Sequence, residues 1–214
     1  MSDKLFIIAI AVALLFEGFF FIALSLVYKS IEKKSINIAN TFIFEVSPSF
    51  KEKNSYLNYL LIFGVLVSIS PYIYYLFYHV QTFSMTIMIV SVLMAFCLCT
   101  IPFIPLNKLR EHFYLSLGGM LTLFILLVME GYYCFTLYRL YMDNAQLTAM
   151  IVAFSLAAIV LVSLFNPKLF DLKNKKNEDG TYERKKFIWL AFSEWMLYPL
   201  SIAAIVPMLI ISMQ

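Results

Sequence analysis

Three glutamates lie within apolar stretches of the sequence, where an ionised side chain is costly. They are Glu17 in "LFEGFFFIAL", Glu130 in "LLVMEGYYCF" and Glu194 in "FSEWML". An ionised acid at the centre of a membrane helix costs roughly 2.5–3.5 kcal/mol on insertion scales. Such acids normally face a bundle interior or cavity, where they bind protons, cations or hydrogen-bond donors. The chemistry that these residues predict is therefore reversible binding of a proton or a positively charged group.

Glu17 and Glu130 stand in similar local sequences, each followed by glycine and an aromatic pair. Chance predicts about a quarter of one Glu-Gly pair in this composition, and the chain contains two. The match is short, and an internal repeat and a coincidence of composition both remain open. We expect Glu17 and Glu130 to form a substrate- or ion-binding site flanked by Phe20 and Tyr133, with Glu194 as a gate or interfacial acid. The structural alternative is a protonated acid that bonds to a neighbouring carbonyl and serves packing.

The composition predicts the class of fold. Hydrophobic residues make up 62% of the 214 residues and charged residues 14%, and the mean hydropathy is +0.85. Soluble domains carry about a quarter charged residues, so this chain is predicted to be an all-α, polytopic membrane helix bundle in one domain over residues 1–214. The three cysteines fall inside apolar runs, which predicts neither a disulfide framework nor a zinc site.

A membrane-spanning helix needs about 20 apolar residues, and six segments of the chain qualify. They cover residues 5–28, 56–78, 83–104, 113–138, 147–165 and 187–212. Of the 16 basic residues, all but Lys4 and Arg139 fall in the loops 29–55, 105–112 and 166–186. The positive-inside rule therefore predicts that these three loops are cytoplasmic, close to anionic lipids, and that both termini lie on the opposite side.

An odd number of helices in each half would insert the halves in opposite directions. Division of the chain into halves 1–104 and 105–214 therefore predicts a three-plus-three inverted repeat. Transporters with this arrangement bind substrate near the midplane. Glu17 would lie about 18 Å from the outer end of its helix and Glu130 about 12–17 Å from the outer end of its own, which is compatible with a facing pair. No lysine or arginine is predicted at the depth of the three acids.

Two loops carry further patterns. Apolar residues between positions 39 and 50 recur at helical spacing, which predicts an amphipathic segment on the membrane surface. "NEDGT" at 177–181 is a turn signal between basic arms and predicts a short hairpin. The alanines at 149, 153 and 157 form a small-residue stripe that favours close helix packing.

These patterns favour a small transport protein or transport subunit that binds a proton, a cation or an amine-bearing solute at Glu17 and Glu130. Two alternatives remain: a non-catalytic structural or assembly subunit of a larger membrane complex, and a membrane-embedded enzyme acting on a lipid. His79 and His112 are placed at helix ends, and the sequence lacks Walker, GxSxG and HExxH motifs, so an enzyme is disfavoured. We expect no cofactor, metal or nucleic acid, and either a homo-oligomer or a partner membrane subunit.

Overall fold

The computed structural model describes residues 3–33, 35–46, 62–63, 65–66, 69, 84–104, 108–171, 175–176, 182–183 and 185–213. Its helices are α1 (Asp3–Glu32), α2 (Ile43–Val46), α3 (Ser84–Thr100), α4 (Leu109–Tyr141), α5 (Asn144–Leu164), α6 (Trp189–Ala203) and α7 (Val206–Ser212). Two 3₁₀ turns at Ile101–Phe103 and Pro167–Phe170 and a short strand pair complete the described elements.

Five stretches of these helices are long and apolar enough to cross a membrane: Ile7–Ser30, Met85–Phe103, Arg110–Tyr141, Asn144–Leu164 and Trp189–Ser212. They confirm the helical class and five of the six spans predicted from hydropathy. The remaining span, 56–78, lies almost wholly outside the described residues, so a sixth helix and an inverted repeat stay predictions. Its described positions are helical: Ile62, Phe63, Val65, Leu66 and Ile69.

The connection between α4 and α5 is tighter than the sequence predicted. α4 continues to Tyr141, and Met142 then adopts a left-handed conformation (φ 54°) in which its N–H bonds to the carbonyl of Tyr138. Asp143 caps the next helix by accepting a hydrogen bond from the N–H of Ala145 at 3.0 Å. Hydropathy places the connection in a longer polar loop, but only Met142 and Asp143 lie between the two helices.

Prolines break two of the spans near their ends. α3 gives way to a 3₁₀ turn that contains Pro102, and the last span is interrupted between α6 and α7, just before Pro207. Proline lacks an N–H and its ring clashes with the carbonyl four residues earlier, which ends a helix at that point. α6 nevertheless continues through Pro199, so Pro207 marks the observed break.

Small residues let α4 and α5 pack closely. Ala149, Ala153 and Ala157 of α5 are buried, and a Cβ added at Gly131 of α4 would lie 2.9 Å from the ring of Phe154. The alanine stripe is therefore covered by the chain itself, as expected of an architectural feature.

The described parts of the two long basic loops also contain secondary structure. Lys175 and Lys176 pair in antiparallel register with Glu183 and Tyr182, which confirms the predicted hairpin. In residues 39–46, the described part of the predicted amphipathic segment, the apolar side chains pack into the protein. Phe42, Ile43 and Val46 are buried against the end of the bundle. We call this end, where α1 and α3 finish and α4 and α6 begin, the loop end.

Candidate functional site

Glu194 and His112 form a buried ion pair at the loop end of the bundle. The His112 Nε2 atom lies 2.7 Å from Oε1 of Glu194, and both side chains are fully buried. From the sequence, no lysine or arginine is predicted at this depth. The partner is instead His112, which is predicted to stand at a helix end. Glu194 therefore has an imidazole partner from another helix, 82 positions earlier in the chain.

Ser116 completes the cluster from the same face of α4. It lies one turn after His112, and its Oγ donates to Oε1 of Glu194 at 2.7 Å or to the carbonyl of His112 at 2.9 Å. The second carboxylate oxygen, Oε2, is buried and accepts no hydrogen bond within the described ranges. A nucleophilic serine would bond through its hydroxyl to the imidazole. The Ser116 hydroxyl bonds to the carboxylate instead, so these hydrogen bonds do not form a nucleophile–base pair.

The hydrogen bonds of His112 define where its protons lie. Nδ1 is 2.9 Å from the carbonyl oxygen of Ile104, and because a carbonyl only accepts, Nδ1 must carry a proton. One further proton is carried either by Nε2 or by the Glu194 carboxyl group, whose Oε1 lies 2.7 Å away. It belongs to the imidazole in the ion-paired form and to the carboxyl group in the neutral form, and the pair has zero net charge in both. The arrangement can hold, donate or accept a proton.

The sequence builds this cluster from three helix ends. α3 turns into a 3₁₀ segment at Ile101, which presents the Ile104 carbonyl to the first turn of α4. One turn beyond Glu194, Tyr198 is buried and donates its hydroxyl to the carbonyl of Leu98 at 2.9 Å. These polar contacts join α3, α4 and α6 at the loop end.

Glu130 presents a different environment in the middle of α4. Its side chain is fully buried, and neither carboxylate oxygen has a hydrogen-bond partner among the residues that the structure describes. Its neighbours along the helix are Gly131, which packs on Phe154, and the buried Cys134. Ionisation of a carboxylate in such surroundings costs several kcal/mol. In this conformation the stable form is the neutral acid.

Glu17 is also buried, on the face of α1 that meets α6. One turn further along α1, the ring of Phe21 lies 6.1 Å from Tyr198 and 6.4 Å from Trp195, centroid to centroid. Phe20, predicted to flank the site, is buried and packs edge-on against Phe21 at 5.7 Å. Glu17 and Phe20 thus belong to the side of the bundle that contains α6.

Contacts with α6 fix the levels of the two midmembrane acids. Phe21 is level with Trp195 and Tyr198, which places Glu17 about one turn beyond Tyr198. Ser116 contacts Glu194 in the parallel helix α6, and the same offset along the chain, taken across the break after Ala203, brings Glu130 to about the level of Met208 in α7. At 1.5 Å per residue, Glu17 and Glu130 then differ in level by about 11 Å. Tyr133, half-buried on α4, lies still further from the loop end.

Two further observations concern other kinds of site. No group of three or more histidine, cysteine, aspartate or glutamate side chains within the described ranges is arranged to hold a metal ion. A groove of about 380 Å³ between α5 and α6 is lined by apolar and small residues and contains none of the three acids: Ala158, Ile159, Val162, Ser163, Trp189, Phe192, Met196 and Leu200. This groove faces the apolar exterior of the bundle.

Comparison with known proteins leaves the fold and these side chains as the basis for interpretation. The chain matches no protein-family model, and no curated protein or solved structure is significantly similar to it. Five helices long and apolar enough to cross a membrane are compatible with a multi-span helical membrane protein.

The His112–Glu194 pair should behave as a coupled unit in stability measurements. H112A and E194A should each lower the free energy of unfolding by about 3–5 kcal/mol, because each leaves a buried ionisable group without its partner. The double variant should lose less than the sum of the two. Unfolding in detergent micelles measures these values, and E111A, exposed in the first turn of α4, is the control. Additive losses would contradict the pairing.

Proposed function

We propose that the chain is a membrane transport protein or transport subunit that binds protons, cations or amine-bearing solutes at buried carboxylates. The observation that carries the proposal is Glu130, fully buried in a spanning helix with neither carboxylate oxygen bonded within the described part of the chain. A structural acid is normally satisfied by hydrogen bonds from its neighbours. An acid without them is suited to exchange its proton for a cation.

The levels of the three acids support a stepwise path. Glu194 lies at the loop end, Glu17 about 10 Å beyond it along α6, and Glu130 about 11 Å further. Hydroxyl groups of Tyr198 and Ser201 lie between the first two levels and are buried. The carboxylates would bind cargo when ionised and release it when protonated. The facing pair of Glu17 and Glu130 stays a prediction, and a staggered arrangement accounts better for the contacts of α1 and α4 with α6.

The proposed topology has six spanning helices, with residues 56–78 as the second, and an inverted three-plus-three arrangement. The loop end carries most of the basic residues, which favours the cytoplasmic side for it. Partners of this face would be anionic lipids.

Cysteine labelling tests this orientation. In a background without native cysteines, K176C should react with a membrane-impermeant maleimide only after the membrane is opened, whereas M142C should react in intact cells or spheroplasts. Met142 is exposed in the turn between α4 and α5, at the end opposite to the loop end. The reverse pattern would contradict the orientation. Labelling of both sites from the same side would show that the number of spans between residues 142 and 176 is even, which would contradict the topology.

The transport proposal is tested by flux in proteoliposomes that contain a pH-sensitive dye. The wild-type protein should dissipate an imposed proton gradient, alone or in exchange for a sodium, potassium or amine gradient. E130Q should reduce the rate at least tenfold, because the amide keeps the shape of the side chain but cannot ionise. E17Q should also reduce it.

E111Q, on the same helix as Glu130 but exposed, is the matched control and should keep the wild-type rate. A wild-type rate in both E130Q and E17Q would contradict the proposal, as would a wild-type protein that moves nothing under any of the four gradients. The assembly-subunit alternative gains no support from the alanine stripe, which the chain itself covers. A stoichiometric partner that copurifies with the chain would favour that alternative.

A further inference from the structure

A segment of the first basic loop covers the His112–Glu194 pair from the loop end. We call residues 39–46 the cover segment. The ring of Phe42 meets the imidazole of His112 edge-on, with centroids 5.6 Å apart, and Phe42, Ile43 and Val46 are nearly completely buried. Apolar side chains therefore separate the pair from the solvent beyond the loop end.

Hydrogen bonds from the start of the last span fasten the cover segment in place. The N–H of Ile188 donates to the Ala39 carbonyl at 2.7 Å, and the indole N–H of Trp195 donates to the Thr41 carbonyl at 2.7 Å. The side-chain amide of Asn40 donates to the Lys185 carbonyl at 3.2 Å. Within the segment, Glu45 accepts from the N–H of Phe42 at 2.8 Å.

We propose that the His112–Glu194 pair is a proton-binding site that locks the cover segment onto the bundle. With one shared proton the pair is neutral, and an apolar cover is compatible with it. A second proton produces an imidazolium beside a carboxylic acid, which leaves a net positive charge in a fully buried place. That charge costs several kcal/mol unless water reaches it, and release of the cover segment admits water.

Other ionisable groups surround the lock. Those on the parts of neighbouring elements near the loop end, within the described part of the chain, include Glu45, Cys97, Cys99, Lys108, Arg110, Glu111, Tyr114 and Tyr198, and those from Lys108 to Tyr114 are exposed. Of these, Glu45 lies on the cover segment itself. Its carboxylate stabilises the imidazolium electrostatically and so opposes release of the cover. Release therefore requires that the second proton also remove the attraction between Glu194 and His112, which leaves the imidazolium without its buried partner.

Opening of the loop end would connect one side of the membrane with the buried acids. That consequence rests on the proposed transport function, but the lock does not. The lock is measured on the purified protein without any transport assay, so its failure and the failure of the transport proposal are distinguishable.

Amide hydrogen exchange, read by mass spectrometry, tests the lock on the full-length protein in nanodiscs. Peptides that cover residues 36–46 are followed between about pH 5 and pH 8, with exchange times scaled for the intrinsic pH dependence. In the wild type, protection of the cover segment should fall at least tenfold towards the acid end. Peptides from α5 should remain protected, which shows that the opening is local.

Two variants separate the lock from general destabilisation. H112Q/E194Q replaces the pair with amides that can bond to each other and cannot titrate, so protection should not change with pH. S116A removes a hydroxyl whose hydrogen bond stabilises the Glu194 carboxylate, so the pH midpoint at which the cover segment loses protection should move upward. E111Q is the matched control and should follow the wild type.

A wild-type cover segment whose protection does not vary with pH would overturn the proposal. So would a double variant that keeps the wild-type pH dependence. If the double variant does not fold, as unprotected α5 peptides would reveal, S116A decides, and an unchanged midpoint would then overturn the proposal.

Discussion

The cost of an ionisable group in surroundings without water governs this structure. Within a spanning segment, a carboxyl group must find a partner inside the protein or remain neutral. Glu194 finds His112 and Ser116, and in doing so it joins α6 to α4. Tyr198 joins α6 to α3 in the same way. The loop end is thus held by directional polar contacts, whereas α4 and α5 are held together by the close packing of small residues against aromatic and aliphatic side chains.

The bundle contains both outcomes of that constraint. At the loop end, His112 and Glu194 pair under an apolar cover, and one proton shared between them would keep the site neutral. Glu130, deeper in the bundle, has no hydrogen-bond partner within the described ranges and can be neutral only by holding its own proton. The first arrangement stabilises a particular packing of helices. The second leaves a group whose charge can change when a cation or proton arrives, which is why the proposed function centres on it.

Hydropathy predicted the spanning helices that the structure describes because a long apolar run in a membrane has no alternative to helix. It also predicted that Glu17, Glu130 and Glu194 would be buried, since only an inward orientation makes an acid tolerable. It missed the role of His112 because α4 begins at Leu109, four residues before the apolar run, and a polar first turn is invisible to a hydropathy window. The spacing of His112 and Ser116 on one helix face was the available signal.

The relative levels of Glu17 and Glu130 could not be predicted for a different reason. Distances from the predicted ends of two helices ignore how those helices slide against a third. The contacts of Phe21 with Tyr198 and of Ser116 with Glu194 set that register, and they depend on side-chain packing between residues more than 75 positions apart.

The most direct measurement of the central claim is the infrared absorption of the Glu130 carboxyl group in lipid bilayers. In the difference between wild type and E130Q near neutral pH, the account predicts the loss of a protonated carboxylic-acid C=O band. In the wild type that band should convert to carboxylate absorption when base or a bound cation removes the proton. If E130Q instead removes only carboxylate absorption, Glu130 is ionised in the resting protein and the account is contradicted.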